Sequence, residues 1–247
     1  DEPLYLGRPN TWGQRSANVI SQSADLLIAL GTRLGLQQTG FNWQQFVPGG
    51  KVVQVDIDRG ELEKGHPRVD LAICADAEEV LRQTITGLRV ERPDWLAFGR
   101  HVREQLPIAE AGNEHREGYI DPFRFTLALS ELLGPEDVFI PCSSGGANSV
   151  SMQAFQQKLG QVVFADKGLA SMGIGLSSAI GASLAHPGRR TVMVEGDGGF
   201  AQNLQELGTV AANGLNLKIV LCDNDGYASI RTTQRNYFGG AYLGCDI

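Results

Sequence analysis

The 247-residue sequence lacks the marks of several large protein classes. It has no excess of positive charge: 21 Lys and Arg against 28 Asp and Glu leave a formal net charge of −7. That balance argues against nucleic acid as a main partner, because a polyanion is held by a basic surface. A single phosphate ligand can still be held locally, by backbone amides and a metal. Cysteine is scarce. Cys74, Cys142, Cys222 and Cys245 form no CxxC pair, and three of them lie in or beside apolar strand-like runs. Free thiols in a reducing cytoplasm are the expectation, not a disulfide frame. The four histidines (His66, His101, His115 and His186) are scattered, which leaves a zinc site without support. There is no signal peptide, basic presequence or apolar run of membrane length, so a cytoplasmic protein without a membrane partner is expected. No internal repeat or low-complexity segment is present. The sequence has no initial Met and ends on "GCDI", and we expect it to be a portion of a longer polypeptide.

Glycine is abundant. Thirty-one glycines exceed the usual share of roughly 7%, and favour an α/β protein with many tight strand-to-helix turns. The expected fold class is α/β, with two parallel-sheet domains. In the first region, "ADLLIALGTRLG" reads as a buried strand ending at Gly31, and "KVVQVDIDRGEL" as a second ending near Asp56. "VDLAICADAEEVLRQTI" reads as a third, leading into a helix. Short apolar runs separated by helices suggest a parallel sheet. Residues 88–117 lack strand pattern, and their middle reads as one amphipathic helix in a connector. The second region opens on a helix with Asp121 as N-cap and Pro122 at its first position, running to Leu133 before Gly134-Pro135 ends it. "DVFIPC" is a strand running into a Ser/Gly loop, and "QVVFAD" is another. "KGLASMGIGLSSAIGASLAHPG" holds a glycine loop and then a helix of small residues. "RTVMVE", the helix of "QNLQELGTVAANG" and the strand of "LKIVLCDND" complete the pattern.

The chemistry concentrates in "VEGDGGFAQN". Asp197 stands just past a strand's carboxyl end, the edge where open parallel sheets bind ligands. Gly196, Gly198 and Gly199 should leave the amides of residues 196 to 199 free to face an anion, with the positive end of the next helix behind them. An acid there repels that anion unless a cation sits between them. Asn224 comes 27 residues later, past the next strand, an interval about the length of one right-handed crossover. If the strands are neighbours, Asp197 and Asn224 face each other, and Gly226 can turn its carbonyl inward. A carboxylate, an amide oxygen and a carbonyl are hard ligands of the kind Mg²⁺ takes, with phosphates and water filling the rest of about six positions. Gly-Asp-Gly alone is also a common strand-end turn, and "DND" alone a turn signal. Their combination at this spacing points to a diphosphate held through a divalent cation.

With these residues in place the sequence resembles the thiamine diphosphate (ThDP) enzymes, whose motif is GDG, then roughly 25 residues, then an Asn pair. Here it reads "GDGGFAQNLQELGTVAANGLNLKIVLCDN", with Asp223 for the first Asn and Asn224 for the second. The resemblance implies that Asp197, Asn224 and the Gly226 carbonyl bind Mg²⁺. It implies cofactor contacts at Gly145, Ala170, Met172, Gly196, Asp197, Gly198, Gly199, Asn224, Gly226 and Tyr227. "GLASMGIGLSSAIGA" looks like the family's "GLGTMGFGLPAAIGA": Met172 would be the apolar wedge under the bent cofactor, and the Ala170 carbonyl would hold its aminopyrimidine ring. Ala170 stands where Gly is frequent and Ser177 where Pro is. The Ala170 contact fits a negative φ. In "SSGGANS", Gly145 falls on the usual glycine, while Ser143, Ser144, Gly146 and Ala147 depart from the acetolactate synthase pattern.

The first region resembles the second part of the central domain of acetolactate synthase-like members, which in flavin-containing members binds FAD. Their Asp-Arg contacts stand here as Leu36 and Gln37, so FAD is open, and Asp56 could take an adenosine ribose hydroxyl. The resemblance implies a central-domain part at 1–87, a linker at 88–117, and a diphosphate-binding domain at 118–247 that is incomplete at its C-terminal end. The family's activating glutamate comes from a separate amino-terminal domain, usually of a neighbouring subunit. No Glu here sits in that context, so we expect the residues given to be inactive alone and the protein to be a homo-oligomer, a dimer or tetramer. The implied activity is decarboxylation of a 2-oxo acid such as pyruvate, with transfer of the acyl unit to a carbonyl acceptor, a keto-sugar being one candidate. The alternatives are a simple decarboxylase of the benzoylformate or pyruvate type, and a non-catalytic nucleotide-binding module.

Overall fold

Two units make up the chain, divided between Glu110 and Ala111. The computed structural model describes residues 3–85, 91–142, 144–166 and 168–246. Ser143 and the 87/88 boundary lie outside these residues.

In the first unit, strands β1 (Leu26–Leu30), β2 (Lys51–Asp56) and β3 (Leu71–Cys74) form a parallel sheet in the order β1-β2-β3. β2 ends at Asp56, as the sequence pattern requires. Its Val52 and Val55 are buried, and Val52 joins Ala29, Leu34, Phe46 and Val47 in one apolar cluster. Helices α1 (Arg15–Gln22), α2 (Leu36–Thr39), α3 (Arg59–Glu63) and α4 (Ala77–Ile85) precede or follow the strands. Helix α5 (Pro93–Gln105), in the segment read as a connector, packs on α1 within this unit. Gly99 lets it close on Leu6, since a Cβ there would lie 2.5 Å from the Leu6 side chain. Arg103 donates to the Tyr5 carbonyl at 3.0 Å.

The second unit opens with α6 (Pro122–Leu132). The Asp121 carboxylate accepts the amides of Phe123 and Arg124, both at 3.0 Å, the cap expected from sequence. Strands β4 (Val138–Pro141), β5 (Val162–Val163), β6 (Thr191–Gly196) and β7 (Leu217–Cys222) are parallel, in the order β5-β4-β6-β7. Alternation along the buried central strands divides the core. Phe139, Val192 and Val194 face one way and pack with Leu129, Leu133 and Phe155. Val138, Ile140 and Met193 face the other way, against Leu176, Ala179 and Ile180 of α8 (Ile174–Ala185). The remaining helices are α7 (Gly145–Ala154), α9 (Asp197–Ala201), α10 (Leu207–Ala212) and α11 (Ala228–Tyr237).

Three local expectations are corrected. The Ser/Gly stretch is not a loop from Gly145 onward but the first turns of α7, held by burial of Asn148 and Ser151 and by a hydrogen bond from the Asn148 amide to the Cys142 carbonyl. The glycine loop after β6 is itself a short helix, α9. The single helix expected over "QNLQELGTVAANG" is a 3₁₀ turn, Leu204–Glu206, followed by α10.

The base of the sheet is tied by Asp137. Arg190 donates to both its carboxylate oxygens, Nε to Oδ1 at 2.9 Å, and the Gly134 amide donates to Oδ2 at 2.6 Å. The Arg190 hydrogen bond leads the effects that hold this carboxyl below its ordinary range, against the opposing pull of burial. A depressed carboxyl contributes stability that is complete above its unfolded pKa and lost as pH falls through the folded one. Asp137→Asn should therefore lower stability by roughly 1.5–3 kcal/mol at pH 7. Urea midpoints of parent and variant should converge as pH falls below the ordinary carboxylate value of about 3.9.

Candidate functional site

Strand order fixes where a ligand can enter. β5 lies on one side of β4, and β6 and β7 lie on the other. The chain thus reverses its direction of travel across the sheet at β4. Carboxyl ends at such a switch point leave a crevice. The structure has one there, a cleft of about 360 Å³ lined by residues from the ends of β6 and β7, from the first turns of α7, α9 and α11, and by Met172 ahead of α8. Three helices begin at this cleft, at Gly145, Asp197 and Ala228. Their N-termini give it a positive backbone potential.

The sequence spacing brought Asp197 and Asn224 together because β6 and β7 pair in parallel, with Gly196 beside Cys222. Asp197 Oδ2 accepts the amides of Gly226 at 2.6 Å and Asn224 at 3.2 Å, and Oδ1 accepts that of Gly198 at 2.9 Å. Burial alone would raise the Asp197 pKa, but the amides of Gly226, Asn224 and Gly198 outweigh it and hold the carboxylate ionised. The Asp223 carboxyl lies beside it, close enough to share a hydrogen bond. Among the described residues no group of three or more His, Cys, Asp or Glu side chains could hold a metal. A cation here would rest on the mixed oxygen set of Asp197, Asn224 and the Gly226 carbonyl, which suits Mg²⁺.

Nine of the ten expected contact residues line this cleft: Gly145, Met172, Gly196, Asp197, Gly198, Gly199, Asn224, Gly226 and Tyr227. A Cβ at Gly145, Gly146 or Gly196 would meet nothing within 4 Å, so their backbone is open to a ligand. Met172 is 37% exposed, placed at the cleft wall and not in the core. Ala170 is not among the lining residues, and its φ is +53°, not negative. It occupies the left-handed region that its frequent glycine counterpart enters without cost. The expected run of free amides is also corrected. The Gly196 amide donates to Glu195 Oε1 at 3.2 Å and that of Gly198 to Asp197, because both carboxylates fold back on the turn that carries them. In the first unit, the Asp56 Oδ1 likewise accepts the Asp58 amide at 2.9 Å, and the Gln37 carbonyl accepts the Thr11 amide at 2.8 Å.

Sequence reasoning missed Glu195, Ser229, Ile230 and Thr232, which also line the cleft. Ser229 and Thr232 are on α11, a helix whose polar sequence hid it. Glu195 is 2% exposed, and its Oε2 has no hydrogen-bond partner. Burial raises its pKa. Burial first, and then the charge of Glu195, push the neighbouring Cys142 thiol up to about 12, which makes it an inert thiol.

Residues 144–247 match the family described as thiamine pyrophosphate enzyme, C-terminal TPP binding domain, and residues 1–84 match thiamine pyrophosphate enzyme, central domain. The chain belongs to the thiamine pyrophosphate enzymes. Its relatives include the acetolactate synthase of Mycobacterium bovis, 31% identical over 98% of this chain and 40% of that protein. The acetolactate synthase isozyme 1 large subunit of Escherichia coli is 33% identical over 96% of this chain and 41% of that protein. A probable acetolactate synthase large subunit of Methanocaldococcus jannaschii is 32% identical over 97% and 41% respectively. The chain thus spans about 40% of the length of these curated relatives. As a thiamine pyrophosphate enzyme its α/β architecture is the expected one, and the cleft lies wholly within the matched C-terminal domain, from Ser144 to Thr232. No helix among the described residues is long and apolar enough to cross a membrane.

Proposed function

We propose that the full-length protein is a ThDP- and Mg²⁺-dependent carboligase that decarboxylates a 2-oxo acid such as pyruvate and transfers the acyl unit to a carbonyl acceptor. The observation that carries this reading is the meeting of Asp197 with Asn224 and Gly226 across the ends of β6 and β7, in a cleft where helices begin. When bound, ThDP supplies the electron sink that lets a 2-oxo acid lose CO₂ and its acyl carbon add to a carbonyl. This chain's residues do the holding. Asp197, Asn224 and the Gly226 carbonyl would bind the cation. Backbone amides at the starts of α7 and α11 would bind the diphosphate. Met172 offers an apolar wall. Ile230 and Tyr227 line the same cleft and would help to exclude water from it.

No glutamate of this chain is assigned the activating role. Glu195 is enclosed behind the turn, and Glu206 accepts from the Thr209 hydroxyl at 2.8 Å. We assign that role to another part of the full-length protein, working as a cytoplasmic homo-oligomer, and expect residues 1–247 alone to be inactive.

The test is CO₂ release from pyruvate and other 2-oxo acids by the full-length protein, with and without ThDP and Mg²⁺, in the presence of aldehyde and ketone acceptors. CO₂ release needing both additions and yielding a ligated product is expected. Release of free aldehyde without ligation would replace the carboligase reading with a simple decarboxylase.

A further inference from the structure

The loop that carries Asn224 and Gly226 turns through positive φ at two successive residues, Asp and Gly, which tolerate that region. Asp225 has φ +60° and Gly226 φ +112°. Tolerance alone does not select one loop conformation, and hydrogen bonds from its surroundings do. Asp197 takes the amides of Asn224 and Gly226, Asp223 Oδ1 accepts the Asp225 amide at 3.1 Å, and one further side chain holds the carbonyls. The Arg231 guanidinium, on the first turns of α11, donates to the carbonyls of Asn224 and Asp225. It also donates to the Cys245 carbonyl at 3.2 Å and to Asp246 Oδ1 at 3.4 Å. The same Cys245 carbonyl accepts the Tyr227 amide at 2.8 Å, so the loop is tied from both ends to the segment at 245.

Peptide geometry turns this clamp into an orientation. The Asp225 carbonyl and the Gly226 N–H belong to one planar trans unit and point in opposite directions. With Arg231 on the oxygen, the N–H is aimed away from it, and there it meets Asp197 Oδ2 at 2.6 Å. A cation, an aligned peptide dipole and an anion thus stand in series. We propose that Arg231 is a positioning residue for the cation-binding loop, setting the directions of Asn224 and Gly226 relative to Asp197. This rests on the ThDP reading above and adds to it a residue that touches neither cofactor nor cation. Lysine should replace it only in part, because its three donors radiate from one nitrogen, whereas the guanidinium spreads its five over three nitrogens in a rigid plane.

The experiment measures ThDP binding to the full-length protein by calorimetry, with Mg²⁺ present, for the parent, Arg231→Ala and Arg231→Lys. Each variant should weaken binding by about ten- to a hundredfold, the range found when outer-shell partners of a metal site are removed. Added guanidinium at millimolar concentration should restore part of the affinity of Arg231→Ala, and the same concentration of NaCl should not. Arg231→Lys serves where the alanine variant does not fold. Parental affinity in the variant that folds would overturn the proposal while leaving the cofactor reading intact, as would a loss that guanidinium does not restore. Absence of Mg²⁺-dependent ThDP binding in the parent would overturn both.

Discussion

Asp197→Ala should weaken Mg²⁺-dependent ThDP binding by at least about a hundredfold, equivalent to about 2.8 kcal/mol. The side chain has two tasks at one place. Its charge is the strongest candidate ligand for the cation, and its two oxygens gather the amides of Gly198, Asn224 and Gly226 from both sides of the cleft. Alanine removes both. Asn224 and Gly226 then lose the acceptor that fixes them, and the other two oxygen ligands lose their alignment. Asp197→Asn separates the tasks. It keeps one oxygen acceptor in the same place, sets an NH2 group against an amide the other oxygen served and removes the charge, so it should cost less stability than alanine and still bind ThDP poorly. Calorimetric titrations of both variants, with thermal melts, check this. Tight binding by Asp197→Asn would mean that the charge is not a ligand.

Gly175→Ala should destabilise the protein by roughly 3 kcal/mol, at the upper end of the overpacking range, although glycine to alanine inside a helix is ordinarily favourable by about 1 kcal/mol. Gly175 faces the enclosed Glu195 carboxyl, and a Cβ there would lie 1.9 Å from Oε2. The carboxyl has nowhere to go, since Gly199 closes the other side, with a Cβ position 2.6 Å from Oε1. The same helix contains its own control. A Cβ at Gly181 meets nothing within 4 Å. Gly181→Ala should raise stability by about 0.5–1 kcal/mol. Urea unfolding of the two variants should give shifts of opposite sign. Joining Gly175→Ala to Glu195→Ala should recover much of the loss, because the two residues are coupled. Equal midpoints for Gly175→Ala and Gly181→Ala would contradict the packing described here.

What the sequence revealed and what it hid have physical causes. The Asp121-Pro122 start of α6 is legible because capping is settled within four residues. β2 and β6 are legible because buried parallel strands are rich in Val and other apolar residues, interrupted in β2 only by Gln54 between Val53 and Val55. The meeting of Asp197 and Asn224 follows from the length of one crossover. By contrast, α7 begins in "GGANS", whose helical state is decided by burial of Asn148 and Ser151 against the rest of the unit and by no local preference. The left-handed Ala170 could not be foreseen, because alanine does not announce that conformation. Glu195 reads as an ordinary acid until Gly175 of a different element is seen against it. Arg231 reads as one more charge on a polar helix, because its partners at Asn224, Asp225 and Cys245 meet only when the chain returns.

The most direct test of the site is a titration of ThDP into the full-length protein, once with Mg²⁺ and once with the metal chelated. Saturable binding that needs the cation, and that disappears in Asp197→Ala and Asn224→Ala, is the predicted result. ThDP binding indifferent to the cation and to both substitutions would contradict it. So would no ThDP binding alongside cation-independent binding of an adenine nucleotide, which would mark the cleft as a nucleotide-binding module.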